Sequence, residues 1–555
     1  MRNRESTKYI VVTGGVLSGL GKGIAAASIG HLLSTKLNVV PMKLDGYLNT
    51  DPGTMNPIEH GEVFVLDDGG EVDMDFGHYE RFLGVTCKFG WNLTMGKIFA
   101  EIRQKERRGD YLGKTVQYVP HVVDLIKSKI HGVVEKEKAD ILLIEVGGTV
   151  GDIENELYIE AVRQLRKEVG EHNMMYIHLT YVPVPSGVNE QKSKPTQQSV
   201  NLLRQRGIQP DIIIARCSEY LDPSISKKIA TFCDVDEEAV ITGVDVDNVY
   251  KIPLVFEKQG LSEIIHKKLG IYSPPNLRSW ESLVHNLDNL EKEITIAICG
   301  KYTKLEDSYA SIIESLMHCS AHTKHKINVR WIETTKIEDG QLTAEEALAG
   351  VSGMIVPGGF GTRGTEGKIQ VIKYARENDL PFLGICLGLQ LAVIEFARNG
   401  CMLAGANSTE IDPAAKHPVV DILPDQKGIT DKGGTMRLGA YKAILNPGTL
   451  AYNLYNSEIV WERHRHRYEV NPDYHQKLNS GGLIISGASE DGKLAEFIEL
   501  NDHPYFIATQ AHPELKSMLL EPAPLFFGLV KAAIAFKGKS TDDRVQKVQP
   551  VLNAL

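Results

Sequence analysis

Residues 9–23 read YIVVTGGVLSGLGKG, and this stretch decides the fold of the first half of the chain. An apolar β-like run leads into a glycine-rich turn that reaches Lys22, and the alanine-rich segment that follows favours a helix. Glycines allow backbone N–H groups to point at phosphate oxygens, and the start of a helix adds a positive dipole end. Relative to the common phosphate-loop pattern, the first glycine comes one position early and Gly23 replaces the Ser or Thr that holds Mg²⁺. The stretch therefore predicts a phosphate site whose metal is held elsewhere, the alternative being a glycine-rich turn without a ligand.

The size and composition of the chain bound the kind of protein it can be. Its 555 residues favour two large domains, because one core rarely serves more than about 250 residues. With 42% hydrophobic and 24% charged residues, it is neither a disordered nor a collagen-like chain. No apolar stretch approaches the length of about 18 residues that a membrane span needs, and no signal-peptide core follows Met1. The net charge of −10 argues against a broad nucleic-acid surface, although anionic ligands need only a local cluster of Lys and Arg.

The seven cysteines are odd in number and widely spaced, and no Cys-x-x-Cys pattern occurs. A disulfide framework or a structural zinc site is therefore not expected, and a reducing cytoplasm is the expected location. Most of these thiols should be inert core residues.

Short apolar runs separated by helix-length segments occur in both halves of the chain. Such runs are typical of parallel strands buried on both faces, although periodicity alone leaves a buried helix open for any single run. The predicted strand runs are 9–12, 38–40, 141–144, 175–178 and 211–214, then 294–298, 354–356, 382–385, 483–485 and 506–508. A breaker cluster at 272–276 and a mixed-charge helical segment at 280–292 mark a linker. The predicted fold class is α/β, with a phosphate-loop-like, doubly wound, mostly parallel sheet over 1–270, a linker over 271–293, a second α/β domain over 294–538 and a polar tail over 539–555.

Acidic residues at two places could hold the metal that the altered phosphate loop lacks. Glu71, Asp73 and Asp75 alternate, so an extended chain would bring three mutually repelling carboxylates to one side. Glu145 ends the apolar run 141–144, and ligands of open α/β sheets gather at strand carboxyl ends. We therefore expect Asp75 and Glu145 to bind Mg²⁺, the alternative for each being a solvated surface charge.

A second anion site is predicted at residues 191–198. Lys192 and Lys194 flank a predicted helix start, and Pro195 stands near the first helical position. This combination suits a second polyphosphate, and a charged helix cap is the alternative that the local sequence leaves open.

Residues 381–390 read PFLGICLGLQ, which predicts a strand, a tight turn and a helix with an exposed Cys386 thiol at the helix start. There the helix dipole favours the thiolate. The upstream segment 356–361 could supply backbone N–H groups for an oxyanion hole. Downstream, His512 would act as base and Glu514 would orient the imidazole, which predicts a Cys–His–Glu triad. A lone Cys is usually a buried hydrophobe, but three matching segments in order favour catalysis.

These motifs carry a resemblance to two known families over most of the chain, about residues 8–537. The second half is similar to a class I glutamine amidotransferase domain, on PGGFG at 357–361, GICLGLQ at 384–390 and HPE at 512–514. The first half resembles the amidoligase domain of the CTP synthase family. Its supporting segments are SGLGKG at 18–23, MKLD at 42–45, DPGTMNP at 51–57, HGEVFV at 60–65, EVGGTVGDIE at 145–154 and KSKPTQ at 192–197.

The resemblance implies a role for individual positions of this sequence. For ATP these are Gly19, Leu20, Gly21, Lys22, Gly23, Ile24, Asp75, Asp245 and Val246. For UTP or the product CTP they are Ser18, Asp152, Ile153, Glu154, Lys192, Ser193, Lys194, Pro195, Thr196, Gln197 and Lys228. For glutamine they are Gly359, Leu387, Gly388, Leu389, Gln390, Glu410 and Arg467. The loop 433–439 resembles the segment linked to GTP activation, while Ser193 replaces a common Thr and Ala310 replaces a Lys of some members.

The resemblance also implies a reaction. Glutamine would be hydrolysed in the second half, and ATP would phosphorylate UTP on O4 in the first half, with Mg²⁺ as cofactor. Ammonia would then displace phosphate from the 4-phosphoryl intermediate and leave CTP. The family further implies activation by GTP, inhibition by CTP, homotetramers and in some members filaments, with neither nucleic acid nor membrane as partner.

Two other functions are open on the sequence. One is a different glutamine-dependent amidoligase of the cobyrinate type, although many of those lack the pair formed by His512 and Glu514. The other is an assembly or regulatory protein that binds nucleotides without catalysis, against which Cys386, His512, Glu514 and Lys22 all argue.

Overall fold

The structure is a computed structural model that describes residues 7–56, 60–301, 306–423, 426, 428–429 and 433–538. The predicted polar tail, 539–555, lies outside these residues. The strands are β1 Lys8–Gly14, β2 Val39–Asp45, β3 Phe64–Val65, β4 Glu71–Val72, β5 Asn92–Thr94, β6 Ile141–Val146, β7 Met174–Tyr181, β8 Ile212–Cys217, β9 Val240–Val244, β10 Lys292–Gly300, β11 His325–Glu333, β12 Gly353–Val356, β13 Phe382–Ile385, β14 Ala406–Ser408, β15 His417–Ile422, β16 Arg437–Leu445, β17 Ile459–His466, β18 Tyr468–Val470, β19 Leu483–Ser489, β20 Ala495–Leu500 and β21 Phe506–Thr509.

Helices separate most of the parallel strands. They are α1 Lys22–Leu33, α2 Asp75–Leu83, α3 Met95–Arg108, α4 Val123–Glu137, α5 Glu156–Val169, α6 Lys194–Gln205, α7 Pro223–Cys233, α8 Ile252–Lys258, α9 Leu261–Leu269, α10 Arg278–Asp288, α11 Ala310–Thr323, α12 Thr334–Glu338, α13 Ala344–Leu348, α14 Thr365–Glu377, α15 Leu387–Asn399, α16 Leu450–Tyr455, α17 His475–Gly481 and α18 Pro524–Gly538. Within the described ranges, no helix is both long enough and apolar enough to pass through a bilayer.

The chain folds into two compact units. The first comprises Met1–Pro52 and Asp75–Glu281, and the second comprises Gly53–Met74 and Ser282–Leu555. Residues 53–74 therefore belong to the second unit although they come from the first half of the sequence. The domain boundaries that we expect from the sequence, at residues 270, 293 and 538, remain a prediction.

The first unit is built on a seven-stranded parallel sheet in the order β5-β2-β6-β1-β7-β8-β9. Its central strands are buried along their length, because β-branched apolar residues cover both faces. From β1 the chain continues to β2, towards one lateral edge of the sheet, whereas from β6 it continues to β7, towards the opposite edge. The loop that follows β1 therefore lies where the strand order reverses. The predicted α/β class with a doubly wound parallel sheet is confirmed.

The second unit contains a nine-stranded mixed sheet in the order β11-β10-β12-β13-β21-β20-β19-β16-β17. The strands from β11 to β21 are parallel, and those from β20 to β17 are antiparallel. Large apolar clusters fill the unit, and the tilted rings of Phe382 on β13 and Phe506 on β21 pack with their centroids 4.5 Å apart. Because β12, β13 and β21 are adjacent and parallel, the loops at their carboxyl ends meet at one edge of the sheet.

Candidate active sites

Cys386 lies in the turn between β13 and α15, at the N-cap of the helix. Its backbone has φ 52° and ψ −102°, a conformation that L-residues adopt only when the surroundings enforce it. Gly388 permits the turn, since a Cβ there would lie 2.2 Å from the carbonyl oxygen of Val356. The predicted exposure of the thiol is wrong: Cys386 is only 3% exposed and lies in the wall of a cavity. Its sulfur is 3.6 Å from Nε2 of Gln510, a neighbour that the sequence analysis missed.

His512 follows β21 and its ring reaches the same cavity. Nδ1 of His512 is 2.6 Å from Oε1 of Glu514, while the buried Nε2 has no hydrogen-bond partner in the part of the chain that the structure describes. Burial opposes protonation, but the electrostatic interaction with Glu514, followed by the interaction with Cys386, outweighs it and raises the pKa of His512 to about 10. A Cβ on Gly358 would lie 2.8 Å from Cε1 of His512 and 3.6 Å from Cβ of Cys386, so thiol and imidazole side chains meet at this glycine. The arrangement can support nucleophilic attack by sulfur with proton transfer through the imidazole.

The cavity beside Cys386 has a volume of about 720 Å³, which suits a small polar substrate. Four of the positions expected to bind glutamine line it: Gly359, Gln390, Glu410 and Arg467. Leu387, Gly388 and Leu389 do not; they are buried in the first turn of α15. Oε1 of Glu410 accepts a hydrogen bond from the N–H of Gly361 at 3.0 Å.

Arg467 brings a cation to the wall of this cavity. Its guanidinium donates to Gln426 at 2.5 Å and to the Thr435 hydroxyl at 2.8 Å. Thr435 belongs to the loop 433–439, and Met436 of that loop lines the cavity. Gly439, the last residue of the loop, has φ +99°, and a Cβ there would lie 2.7 Å from the backbone N of Gly69.

Residues 53–74 form part of the cavity wall, which the sequence analysis did not foresee. Gly53, Met55 and Val63 line the cavity. The segment is tied to β17 by two ion pairs, Arg463 with Asp67 at 2.5 Å and Arg465 with Glu71 at 2.8 Å. Oε2 of Glu62 also accepts from the backbone N of Ser311, 3.1 Å away at the start of α11, next to Ala310. Ion pairs between residues so far apart in sequence leave no local pattern that could have revealed them.

The loop between β1 and α1 has the geometry of a phosphate-binding turn. Gly19 and Gly21 have φ of 74° and 83°, and Gly21 caps the helix that begins at Lys22. The Lys22 ammonium donates to the carbonyl oxygen of Gly148 at 2.9 Å, and burial lowers its pKa. Gly23 faces Asp75, because a Cβ there would lie 2.1 Å from Oδ1 of that residue. Gly23 stands where the common pattern has Ser or Thr. A side chain does not fit there, because the Asp75 carboxylate occupies the space.

Asp75 and Glu145 lie close enough to interact electrostatically at this loop. Burial and the charge of Asp75 raise the pKa of Glu145 to about 7. Lys43 pairs with Asp75, and the Tyr79 hydroxyl donates to Glu145; neither partner was singled out from the sequence. Two repelling carboxylates beside a phosphate loop fit Mg²⁺, which is commonly held by one or two carboxylates together with substrate phosphates. Among the described residues, however, no cluster of three or more metal-ligating side chains occurs.

The expectation that Glu71, Asp73 and Asp75 share one side is wrong. Glu71 pairs with Arg465, and Asp73 lies 3.3 Å from Nε2 of His60. The chain turns into helix α2 at Asp75, so the extended alternation on which the expectation rested does not continue to that residue.

The predicted second anion segment stands at the start of α6. Ser193 is the N-cap, Lys194 is the first helical residue and Pro195 follows. Lys192 forms an ion pair with Glu190 at 2.6 Å, while Thr196 donates to the Thr180 hydroxyl at 3.0 Å. The remaining positions expected to bind UTP or CTP are distributed as follows: Gln197 is buried, and Ser18, Asp152, Ile153, Glu154 and Lys228 are exposed.

Arg216, at the end of β8, connects the phosphate loop to the position expected to contact adenine. Its guanidinium donates to the carbonyl of Leu20 at 3.1 Å and to Oδ1 of Asp245 at 2.9 Å. Val246 follows, half-buried, and Ile24 is half-buried in the first turn of α1. No motif in the sequence signals Arg216, because it ends an ordinary apolar strand.

Comparisons with known proteins give matches to both halves of the chain. Residues 8–271 match the family model described as CTP synthase N-terminus, and residues 304–532 match glutamine amidotransferase class-I. The chain is 55% identical over 538 residues to a CTP synthase of Borreliella burgdorferi, covering 96% of this chain and 100% of that one. It is 54% identical over 530 residues to a CTP synthase of Thermococcus gammatolerans, covering 95% and 98%. A solved structure titled "Trypanosoma brucei CTPS - glutaminase domain with bound acivicin" matches at 35% identity and TM-score 0.41, covering 44% of this chain and 94% of that one.

A glutamine amidotransferase unit joined to a phosphate-loop α/β unit defines the class of glutamine-dependent amidoligases. Within that class, the two relatives named above, which match this chain over nearly its full length, are both CTP synthases. The chain belongs to the CTP synthase family. It is therefore a ligase of pyrimidine biosynthesis that converts UTP to CTP with ATP and with glutamine as nitrogen donor. The cobyrinate-type and non-catalytic alternatives are set aside.

Proposed function

We propose that the chain carries out the two half-reactions of this conversion at the two sites described above. The observation that carries the proposal is the meeting of Cys386, His512 and Glu514 at one cavity, with His512 oriented by Glu514 at 2.6 Å. The phosphate loop of the other unit supports the second half-reaction, because Lys22 and two carboxylates converge there.

In the first half-reaction, the Cys386 sulfur attacks the amide carbon of glutamine. Backbone N–H groups of the loop at Gly358 and Gly359 stabilise the oxyanion, and His512 gives its proton to the departing ammonia. A thioester remains on the sulfur, and water hydrolyses it to glutamate. Glu410 and Arg467 have the charges to bind the α-amino and α-carboxylate groups of glutamine, and Gln390 lies beside them in the cavity wall.

In the second half-reaction, O4 of UTP attacks the γ-phosphorus of ATP, and the bond to ADP breaks. Lys22 stabilises the charge on the transferred phosphoryl group. Asp75 and Glu145 would hold Mg²⁺, which would add charge neutralisation at the phosphates. Ammonia then adds to C4 of the pyrimidine, inorganic phosphate leaves, and CTP remains. The start of α6 binds the pyrimidine nucleotide together with five exposed residues, Ser18, Asp152, Ile153, Glu154 and Lys228.

The proposal extends to regulation and assembly as the family implies them. GTP activates glutamine hydrolysis through the loop 433–439, whose first glycine would place a Cβ 3.3 Å from Thr54 in the cavity wall. CTP inhibits the enzyme at the UTP positions. The enzyme works in the cytoplasm as a homotetramer, which in some family members stacks into filaments.

The test is CTP formation from UTP, ATP and Mg²⁺, with either glutamine or ammonium as nitrogen source, in the wild type, Cys386→Ala and Lys22→Ala. We expect Cys386→Ala to lose the glutamine-dependent reaction and keep the ammonium-dependent one, and Lys22→Ala to lose both. Loss of both reactions in a folded Cys386→Ala variant would contradict the division into two sites. Ammonium-dependent turnover at the wild-type rate in Lys22→Ala would refute the phosphate-loop assignment.

A further inference from the structure

A buried histidine behind the phosphate loop has no part in the mechanism proposed above. His178 lies in β7 directly opposite Thr13 of β1, the residue before the loop glycines. Its Nδ1 is 2.8 Å from the Thr13 hydroxyl, and its Nε2 is 2.8 Å from the hydroxyl of Ser199 in α6. Thr13 and His178 are fully buried, and Ser199 is 2% exposed. One imidazole therefore joins the strand that leads into the phosphate loop to helix α6, which begins at Lys194.

The imidazole is electrically neutral near pH 7. Burial and the charge of Lys22 lower the pKa of His178 to about 3. A neutral ring carries one N–H, so it donates to one hydroxyl and accepts from the other. The connection is thus a fixed chain of three hydrogen-bonding groups, and it neither stores nor releases charge near the phosphates.

The loop and helix α6 are also packed without spare space at this point. A Cβ on Gly15 would lie 1.7 Å from Oγ of Ser199, so the loop backbone rests directly on the helix. The N–H of Gly15 donates to the carbonyl of Leu179, the residue after His178, at 3.0 Å. A shift of α6 therefore moves the phosphate loop unless the three-residue connection breaks.

We infer that His178 is a positioning residue: with Thr13 and Ser199 it fixes the distance between the phosphate loop and the start of α6. This rests on the proposed function, in which the loop holds ATP and the start of α6 holds UTP. Transfer of a phosphoryl group to O4 requires the two nucleotides to be in line within a few tenths of an ångström, and a misplacement of about 1 Å costs on the order of 10²-fold in rate. The connection therefore acts on turnover more than on the binding of either nucleotide alone.

The experiment compares Thr13→Val, Ser199→Ala and the double variant in ammonium-dependent CTP synthesis, which bypasses glutamine hydrolysis. Each hydroxyl deletion preserves nearly all of the side-chain volume. His178→Asn and His178→Gln add a second comparison, because Asn places a nitrogen near the Nδ1 position and Gln near the Nε2 position. The matched control is Tyr176→Phe, which removes a buried hydroxyl of the same strand that donates to Val162 at 3.0 Å, away from the loop.

We expect each single hydroxyl deletion to lower kcat about tenfold while KM for ATP and KM for UTP change less than about twofold. The kcat of the double variant should be about equal to that of the slower single variant, because both substitutions break the same connection. Tyr176→Phe should keep the wild-type kcat. A loss of thermal stability with unchanged kcat in all three variants, or a tenfold rise in KM alone, would overturn the inference.

Failure of the proposed function gives a different result. If Lys22→Ala retains ammonium-dependent synthesis, the loop does not hold ATP, whatever the hydroxyl variants do. If Lys22→Ala is inactive and the hydroxyl variants match Tyr176→Phe, the function stands and only the positioning role of His178 falls.

Discussion

Arg465 donates through Nε to Glu71 at 2.8 Å, and its carbonyl oxygen lies 3.9 Å from the sulfur of Cys386. The two paired residues are 394 positions apart in sequence. Arg465 also donates to the carbonyl of Gly53 at 3.1 Å, and Gly53 lines the glutaminase cavity. A single guanidinium thus joins the segment 53–74 to the strand beside the nucleophile.

Replacing Glu71 by Gln should weaken both this wall and glutamine hydrolysis. Glu71 is almost completely buried, whereas the Arg465 side chain is 18% exposed. We expect a loss of about 2 kcal/mol in the free energy of unfolding, below the about 3–5 kcal/mol of a fully buried pair, because Arg465 retains some contact with water. With the cavity wall loosened, kcat/KM for glutamine hydrolysis should fall about tenfold. Thermal unfolding and a glutaminase assay measure the two effects.

A matched control for this variant lies in the same unit. Arg398 pairs with Glu366 at 2.8 Å, with side chains 23% and 47% exposed, and neither residue lines the cavity. Glu366→Gln should change the unfolding free energy by less than about 1 kcal/mol and leave glutamine hydrolysis unaltered. Equal effects of the two variants on hydrolysis would contradict a specific role for Glu71.

The charge of Glu514 is expected to set the protonation of His512. It is the main interaction that raises the pKa of His512 to about 10 against the cost of burial. In Glu514→Gln that pKa should fall, so the imidazolium is lost as the pH rises through a lower value than in the wild type. We expect kcat for glutamine hydrolysis at pH 8 to drop on the order of 10²-fold or more, because proton donation to ammonia fails. The pH profile of hydrolysis should lose its alkaline plateau, while ammonium-dependent synthesis stays at the wild-type rate.

Sequence patterns predicted the parallel strands well, since a strand buried on both faces is a continuous apolar run. All ten predicted runs lie in or overlap strands of the two sheets. They did not predict β17, which contains Arg463, His464 and Arg465 yet is largely buried. The charged side chains of such a strand can be buried because they form ion pairs with carboxylates distant in sequence. The sequence of the strand is therefore not an apolar run, and hydrophobic periodicity does not reveal it.

The candidate sites also contain parts that local sequence predicts and parts that depend on contacts between distant residues. The Cys386 elbow and the pair of His512 and Glu514 are encoded over a few residues, and local sequence was sufficient to find them. The membership of 53–74 in the second unit depends on contacts such as Arg463 with Asp67, which only the tertiary fold creates. The exposure of the thiol was mispredicted for a related reason, because the walls that cover Cys386 come from segments remote in sequence.

Binding of a divalent cation at the phosphate loop should depend on pH near neutrality. The pKa of Glu145 is raised to about 7, so its carboxylate carries a proton below that pH and must lose it to bind a metal. We expect the half-saturating Mg²⁺ concentration of ammonium-dependent synthesis to rise as pH falls below about 7, approaching tenfold per pH unit for one displaced proton. Mn²⁺ binding followed by electron paramagnetic resonance gives the same dependence without turnover.

Tyr79→Phe tests the assignment of this titration to Glu145. The Tyr79 hydroxyl donates to the carboxylate and so favours its charged form. Its removal should move the pH dependence of Mn²⁺ binding to higher pH. A dependence that stays in place in Tyr79→Phe and persists in Glu145→Gln would assign the titration to another group.

Gly358 and Gly359 offer a final comparison within the loop that faces the nucleophile. In Gly358→Ala the new methyl would lie 2.8 Å from Cε1 of His512, whose ring is held by Glu514 and whose backbone N–H donates to the carbonyl of Arg463 at 2.7 Å. The ring must shift away from Cys386, so we expect glutamine hydrolysis to fall on the order of 10²-fold with little change in thermal stability. In Gly359→Ala the methyl meets Leu387 at an ordinary 3.7 Å, and hydrolysis should fall less than about tenfold. Both variants retain the loop N–H groups, so an equal loss in the two would place the cause in the backbone of the loop and not in the displacement of His512.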